Sequence, residues 1–93
     1  MNITAVIVIK NEAENLTRYF EHVKLFCDEI LVVDHQSTDM SLPLSLKYAD
    51  KVFLSKRIGY NEPDRIWIIN HAKNEWVCTL DPDEMFETSF INN

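Results

Sequence analysis

The sequence predicts a three-layer α/β domain built on a parallel sheet, and three observations carry that prediction. Ile3 to Ile9 (ITAVIVI) and Ile30 to Val33 (ILVV) are unbroken aliphatic runs, as in strands buried on both faces. Between such runs lie segments whose apolar residues recur three and four apart, the period of a helix. The resulting order β-α-β-α-β-α-β calls for parallel strands joined by right-handed crossovers.

The first strand breaks at Lys10-Asn11-Glu12. From Glu12 to about Phe26, the residues Leu16, Tyr19, Phe20, Val23 and Phe26 mark one face of a helix. Asn11 is its expected N-cap, with Glu12 and Glu14 in the first turn, where the helix dipole favours acids. The second strand ends at Asp34, and Ser37-Thr38-Asp39 reads as a cap for a short helix from roughly Ser41 to Tyr48. Lys51 to Ser55 (KVFLS) is the third strand. A polar loop holding the only glycine, Gly59, leads to Asn61-Glu62-Pro63-Asp64. Proline suits a first helical turn, so a third helix is expected from near Pro63 to about Lys73, with Ile66, Ile69 and Ala72 facing inward. Glu75 to Leu80 is the fourth strand, and Met85 to Asn93 is a tail expected to hold one helical turn or little order. The assembled expectation is a Rossmann-like sheet of order 3-2-1-4 in a single domain, residues 1–93.

At 46% hydrophobic and 26% charged, the composition is that of a soluble globular domain. A net charge of −6 with scattered basic residues argues against nucleic acid as a partner. Cys27 and Cys78 match no zinc or redox spacing, and two reduced core thiols point to a cytoplasmic protein. No run approaches the roughly 20 apolar residues of a membrane span. With strand 4 at the edge, Trp76, Val77 and Leu80 would border a bare sheet edge that invites self-association.

In an open parallel sheet, ligands bind beyond the carboxyl ends of the strands, near the switch point between strands 1 and 4. The polar candidates gather there. Asp81-Pro82-Asp83-Glu84 places three carboxylates within four positions after a buried strand. Such hard oxygen ligands suit Mg²⁺ or Mn²⁺; an acidic surface turn is the plainer alternative. Asp34 can accept from a ribose hydroxyl or a base N–H, or cap the loop at Ser37 to Asp39. His35 lies on the same edge and could touch a nucleotide. Asn11 and Glu12 are fully explained by helix capping as well. Arg65 is the best cation for phosphates, with pairing to Asp64 or Glu62 as its ordinary role. A single glycine leaves no phosphate-cradling loop, which favours a metal-mediated phosphate site.

Three segments, Ile3 to Glu14 (ITAVIVIKNEAE), Glu29 to Asp39 (EILVVDHQSTD) and Glu75 to Glu84 (EWVCTLDPDE), resemble in order and spacing the amino-terminal half of a family 2 glycosyltransferase. The resemblance implies a GT-A fold and an inverting transfer from a UDP-, GDP- or dTDP-type sugar held with Mg²⁺ or Mn²⁺, as in cell-envelope polysaccharide synthesis. Asp83 would be the principal metal ligand and Asp81 would contact the sugar, the ribose or the metal's water shell. Asp34 would bind the nucleoside, with the backbone around Ile9 to Asn11 and Glu12 nearby, and Arg65 would face the nucleotide. The family usually has glycine where this chain has Gln36 and Met40. Family members continue for roughly 100 or more further residues that carry the acceptor site and general base, so the resemblance implies a donor-binding half without transfer activity. In the full-length protein it implies a cytoplasmic location at the inner face of a membrane. Two alternatives stand beside it. One is a non-catalytic nucleotide-binding or receiver-like regulatory module, suggested by the acidic end of ILVVD. The other is a phosphatase of the haloacid-dehalogenase type.

Overall fold

The fold comes from a computed structural model that describes residues 2–55, 62–79 and 90–92. The described elements run β1 (Ile3–Ile9), α1 (Ala13–Val23), β2 (Glu29–Asp34), α2 (Ser41–Tyr48), β3 (Lys51–Leu54), α3 (Glu62–Ile69), β4 (Trp76–Cys78) and β5 (Phe90–Asn92). Strands β1 to β4 are mutually parallel and stand in the expected order 3-2-1-4. Their register sets Ile9 beside Asp34 and Asp34 beside Leu54, so the carboxyl ends of three strands finish level.

Period-2 alternation divides the side chains between two cores. Ala5, Ile7 and Ile9 of β1, with Ile30 and Val32 of β2, pack against Leu16, Tyr19, Phe20 and Val23 of α1. Those four helix residues are wholly buried, each stabilising the fold by about 1.5–3 kcal/mol. Tyr48 of α2 stacks on Phe20 in the same layer, with ring centroids 5.3 Å apart. The intervening residues Val6, Leu31 and Val33 turn to the opposite face and meet Ile68 of α3. Helices α1 and α2 therefore cover one face and α3 the other.

Three expectations need correction. First, β4 is not an edge. Strand β5 runs antiparallel along its outer side, with Val77 opposite Ile91, so unpaired backbone groups there meet a later stretch of the same chain. The ground for self-association through β4 is thereby removed. Residues 90–92 are strand, not helical turn, and residues 85–89 lie outside the described residues. Second, α3 ends at Ile69, and three-residue turn bonds (His71 N–H to Ile68 O, Ala72 N–H to Ile69 O) close it before Lys73. Third, its buried positions are Asp64 and Ile68; of the expected inner residues Ile69 and Ala72 do pack against that core, but Ile66 is 60% exposed. A buried polar contact of Asp64, described below, rotates the helix into that phase.

Helix α1 likewise ends early, at Val23, and turns continue to Cys27, whose N–H donates to Val23 O at 2.8 Å. Cys27 and Cys78 are free thiols in the core on the α1 face. The Cys78 thiol hydrogen-bonded to it, and then burial, raise the Cys27 pKa far above its ordinary value. Among the described residues no helix is long and apolar enough to cross a membrane.

Candidate functional site

Because β1 and β2 are parallel neighbours, the loops that follow them lie side by side, and they interlock. Asn11 takes φ 53°, in the left-handed region that most residues enter only at a cost of roughly 1–2 kcal/mol. That turn aims its Oδ1 at the second loop, where it accepts the Thr38 N–H at 2.7 Å and the Asp39 N–H at 3.3 Å. In return Ser37 Oγ accepts the Asn11 N–H at 2.9 Å, and Ser41 Oγ accepts the Glu12 N–H at 2.8 Å. Asp39 Oδ2 takes the Ala13 N–H at 3.2 Å. The first turn of α1 is thus capped by the approach to α2 and not by Asn11 or Glu12. Hydrogen bonds to Asp39 from Ser41 and from the Ala13 N–H hold its carboxyl below the ordinary value of 3.8.

Asp34 closes β2 inside this lattice. Its Oδ2 accepts the Ser37 N–H at 3.0 Å, which links it through Ser37 to Asn11. Its Oδ1 is buried and has no hydrogen-bond partner among the described residues. An open cleft of about 420 Å³ lies beside it, lined by Asp34, Gln36, Ser37, Leu42, Leu54 and Ser55. Gln36 takes φ 57°, a conformation suited to the glycine usual at that place in the resembled family. The cleft sits over β2 and β3, one strand away from the expected switch point between β1 and β4.

His35 follows Asp34 and so points to the other face, by the same alternation that divides the cores. Its Nε2–H donates to Asp64 Oδ2 on α3, and both residues are buried. Ser55, at the end of β3, donates its hydroxyl to the same oxygen at 2.7 Å. Asp34, Asn11 and Glu12 are therefore brought together on one edge, while the His35 ring is turned away from it. Arg65 is half-buried on α3, next to Asp64. Asp81, Asp83 and Glu84 lie outside the described residues, and among those described no three His, Cys, Asp or Glu cluster as metal ligands. Sequence reasoning missed Asp64 and Ser55. Their signal was faint: an acid one turn ahead of Ile68, and a serine ending a strand.

The chain matches the family model for glycosyl transferase family 2 across residues 4–93. It belongs to that family. This family 2 chain is 34% identical over 82 residues to an uncharacterised glycosyltransferase of Rickettsia bellii, and 30% identical to one of Rickettsia prowazekii. Each match covers 88% of this chain but 28% of the relative, so the chain spans under a third of the length of these proteins. Glucosyl-3-phosphoglycerate synthase of Mycobacterium tuberculosis, crystallised with Mn²⁺, UDP and glucosyl-3-phosphoglycerate, has the same fold at a TM-score of 0.69 and 18% identity. The likeness covers 87% of this chain and 33% of that one. A second mycobacterial structure gives 0.69 at 17% identity, over 88% of this chain and 31% of its own. The family 2 chain thus has the expected GT-A architecture. Membership also decides against the receiver-like and phosphatase-like alternatives.

Proposed function

We propose that this chain forms the donor-binding side of a glycosyltransferase that uses a nucleotide-diphospho-sugar with a divalent cation. The observation that carries the reading is Asp34 Oδ1, a buried carboxylate oxygen without a partner among the described residues, on the wall of a cleft. Leaving such an acceptor unmatched costs about 1–3 kcal/mol, which a nucleoside N–H or O–H would recover on binding. Leu42 and Leu54 supply apolar walls for a flat base, and the interlocked loops of Asn11 and Glu12 hold the acceptor in place. Arg65 is assigned to the nucleotide phosphates, for which its planar fork is suited.

Asp83 and Asp81 are assigned to Mg²⁺ or Mn²⁺ on the chemistry of the donor set, two carboxylates separated by one residue. A bound cation would neutralise charge on the departing diphosphate, as a Lewis acid does. Mn²⁺ and UDP in the mycobacterial synthase support these as first probes. In this reading transfer is inverting, and the carboxylate that activates the acceptor comes from outside this donor-binding half. Free thiols at Cys27 and Cys78 support a reducing compartment, the cytoplasm.

Calorimetry with UDP, GDP and dTDP in the presence of Mn²⁺ tests the proposal. Saturable binding that chelator or Asp83→Ala removes is the expected result. Equal binding with chelator, or by Asp83→Ala, would reject the metal assignment.

A further inference from the structure

Asp64 is an unlikely residue for its place. It sits 7% exposed on α3, one turn ahead of the buried Ile68, where an apolar side chain would ordinarily face the sheet. Two more buried polar side chains, His35 and Ser55, converge on its Oδ2. Burying a carboxylate, an imidazole and a hydroxyl together is tolerable only when they satisfy one another. Replacing such a cluster by well-packed apolar residues is often neutral or stabilising, so stability alone is a weak account of it.

The strands it joins suggest another account. His35 is the residue after Asp34, and its N–H continues the ladder to Ile9 O at 2.8 Å. Ser55 lines the cleft, and its N–H donates to Asp34 O at 2.9 Å. One carboxylate oxygen of α3 therefore grips the ends of β2 and β3, the two strands that form the polar wall of the cleft. The backbone of Asp34 lies between the two grips.

We infer that His35, Asp64 and Ser55 are positioning residues that set the cleft for the nucleoside by tying α3 to the carboxyl ends of β2 and β3. The inference rests on the donor-binding reading above. The cluster approaches the cleft from the α3 face, opposite the side on which Asp34 presents its unpaired oxygen. His35 and Asp64 thus act on where that oxygen stands, while Ser55 also lines the cleft. Loosening the cluster shifts Asp34 relative to Leu42 and Leu54 and weakens the nucleoside part of the ligand. The metal part, assigned to Asp81 and Asp83, is left as it was, and the phosphate part, which shares α3 through Arg65, is weakened less than the nucleoside part.

The test compares UDP, GDP and dTDP with inorganic pyrophosphate, all with Mn²⁺, on the unaltered chain and on Asp64→Asn. The expected result is a loss of nucleoside diphosphate affinity on the order of tenfold, the size of a modest coupling between sites, with a clearly smaller loss for pyrophosphate. His35→Gln, which keeps an N–H donor at similar reach, should retain most of the affinity that His35→Ala loses. If Asp64→Asn does not fold, Ser55→Ala removes the hydroxyl bond to Asp64 and reads the same two ligands. Parallel loss of both ligands, or unchanged nucleotide affinity in a folded Asp64→Asn, would overturn the inference alone. No nucleotide binding by the unaltered chain would overturn the donor-binding reading and this inference with it.

Discussion

The two ends of β2 carry acids of the same kind and use them in opposite ways. At the amino end, Asp28 Oδ1 accepts the Ile3 N–H at 2.9 Å and the Asn74 side-chain amide at 2.7 Å. Glu29 Oε1 accepts the Thr4 hydroxyl at 2.7 Å and the Lys73 N–H at 3.0 Å. Nearby, Asp50 Oδ2 takes the Ile30 N–H at 2.7 Å. These carboxylates fasten β1, β2 and the approach to β4 into a closed floor. At the carboxyl end Asp34 has one oxygen bonded to Ser37 and the other, among the described residues, left over beside a cleft. What separates the structural acid from the one proposed to bind a ligand is neither charge nor burial, since Glu29 and Asp34 are both buried. It is hydrogen-bonding capacity left over after folding.

That contrast can be broken first at its structural end. Glu29→Ala removes two bonds and leaves the Thr4 hydroxyl and Lys73 N–H short of an acceptor, so it should destabilise the fold by about 2–4 kcal/mol. Urea denaturation reads the loss, and the fraction still folded should bind nucleotide as the unaltered chain does. A stability change below about 0.5 kcal/mol, the level of an ordinary surface substitution, would deny the floor its role.

Asp34→Ala should do the reverse. It gives up one bond to Ser37 but also removes an unmatched buried oxygen, so stability should move by no more than about 1 kcal/mol. Nucleotide affinity should fall at least tenfold, about 1.4 kcal/mol, in the same calorimetric titration. Intact binding by a folded Asp34→Ala would place the nucleoside elsewhere.

The smallest effect sharpens the comparison within the carboxyl end itself. Asp39 is exposed, and its folded pKa is held below the ordinary 3.8 by Ser41 and Ala13. The stability it contributes is complete above 3.8 and is lost as pH falls through the depressed folded value. Thermal midpoints measured from pH 5 down to pH 2.5 should therefore drop slightly less steeply in Asp39→Asn than in the unaltered chain. Identical slopes would mean that the interlock of the two loops does not depend on this charge.

Much of this was legible in the residues. The continuous apolar runs of β1 and β2 can be buried only in a two-faced sheet, and helical spacing in α1 named its core residues. Short α2, with little amphipathic pattern of its own, was still bounded by its polar lead-in. The phase of α3 was only partly legible: Ile69 and Ala72 do pack inward, but Ile66 yields its expected place to Asp64 and Ile68 once Asp64 has a buried partner. Nor was β5, whose three residues gain strand character only by lying against β4.

The candidate site divides in the same way. Sequence alone determined that polar residues follow strands β1 and β2, and that parallel strands must bring those residues to one edge. It also supplied the acidic run at Asp81 to Glu84 and the family resemblance, since both depend on residue type and spacing. Only the tertiary structure decided that Asn11 braces a neighbouring loop, that His35 faces α3 while Asp34 faces the cleft, and that one oxygen of Asp34 is unpaired among the described residues. The reason is that a hydrogen bond is directional and pairs residues about 20 to 30 positions apart. Spacing along the chain records where such groups stand, but only the folded geometry assigns their partners.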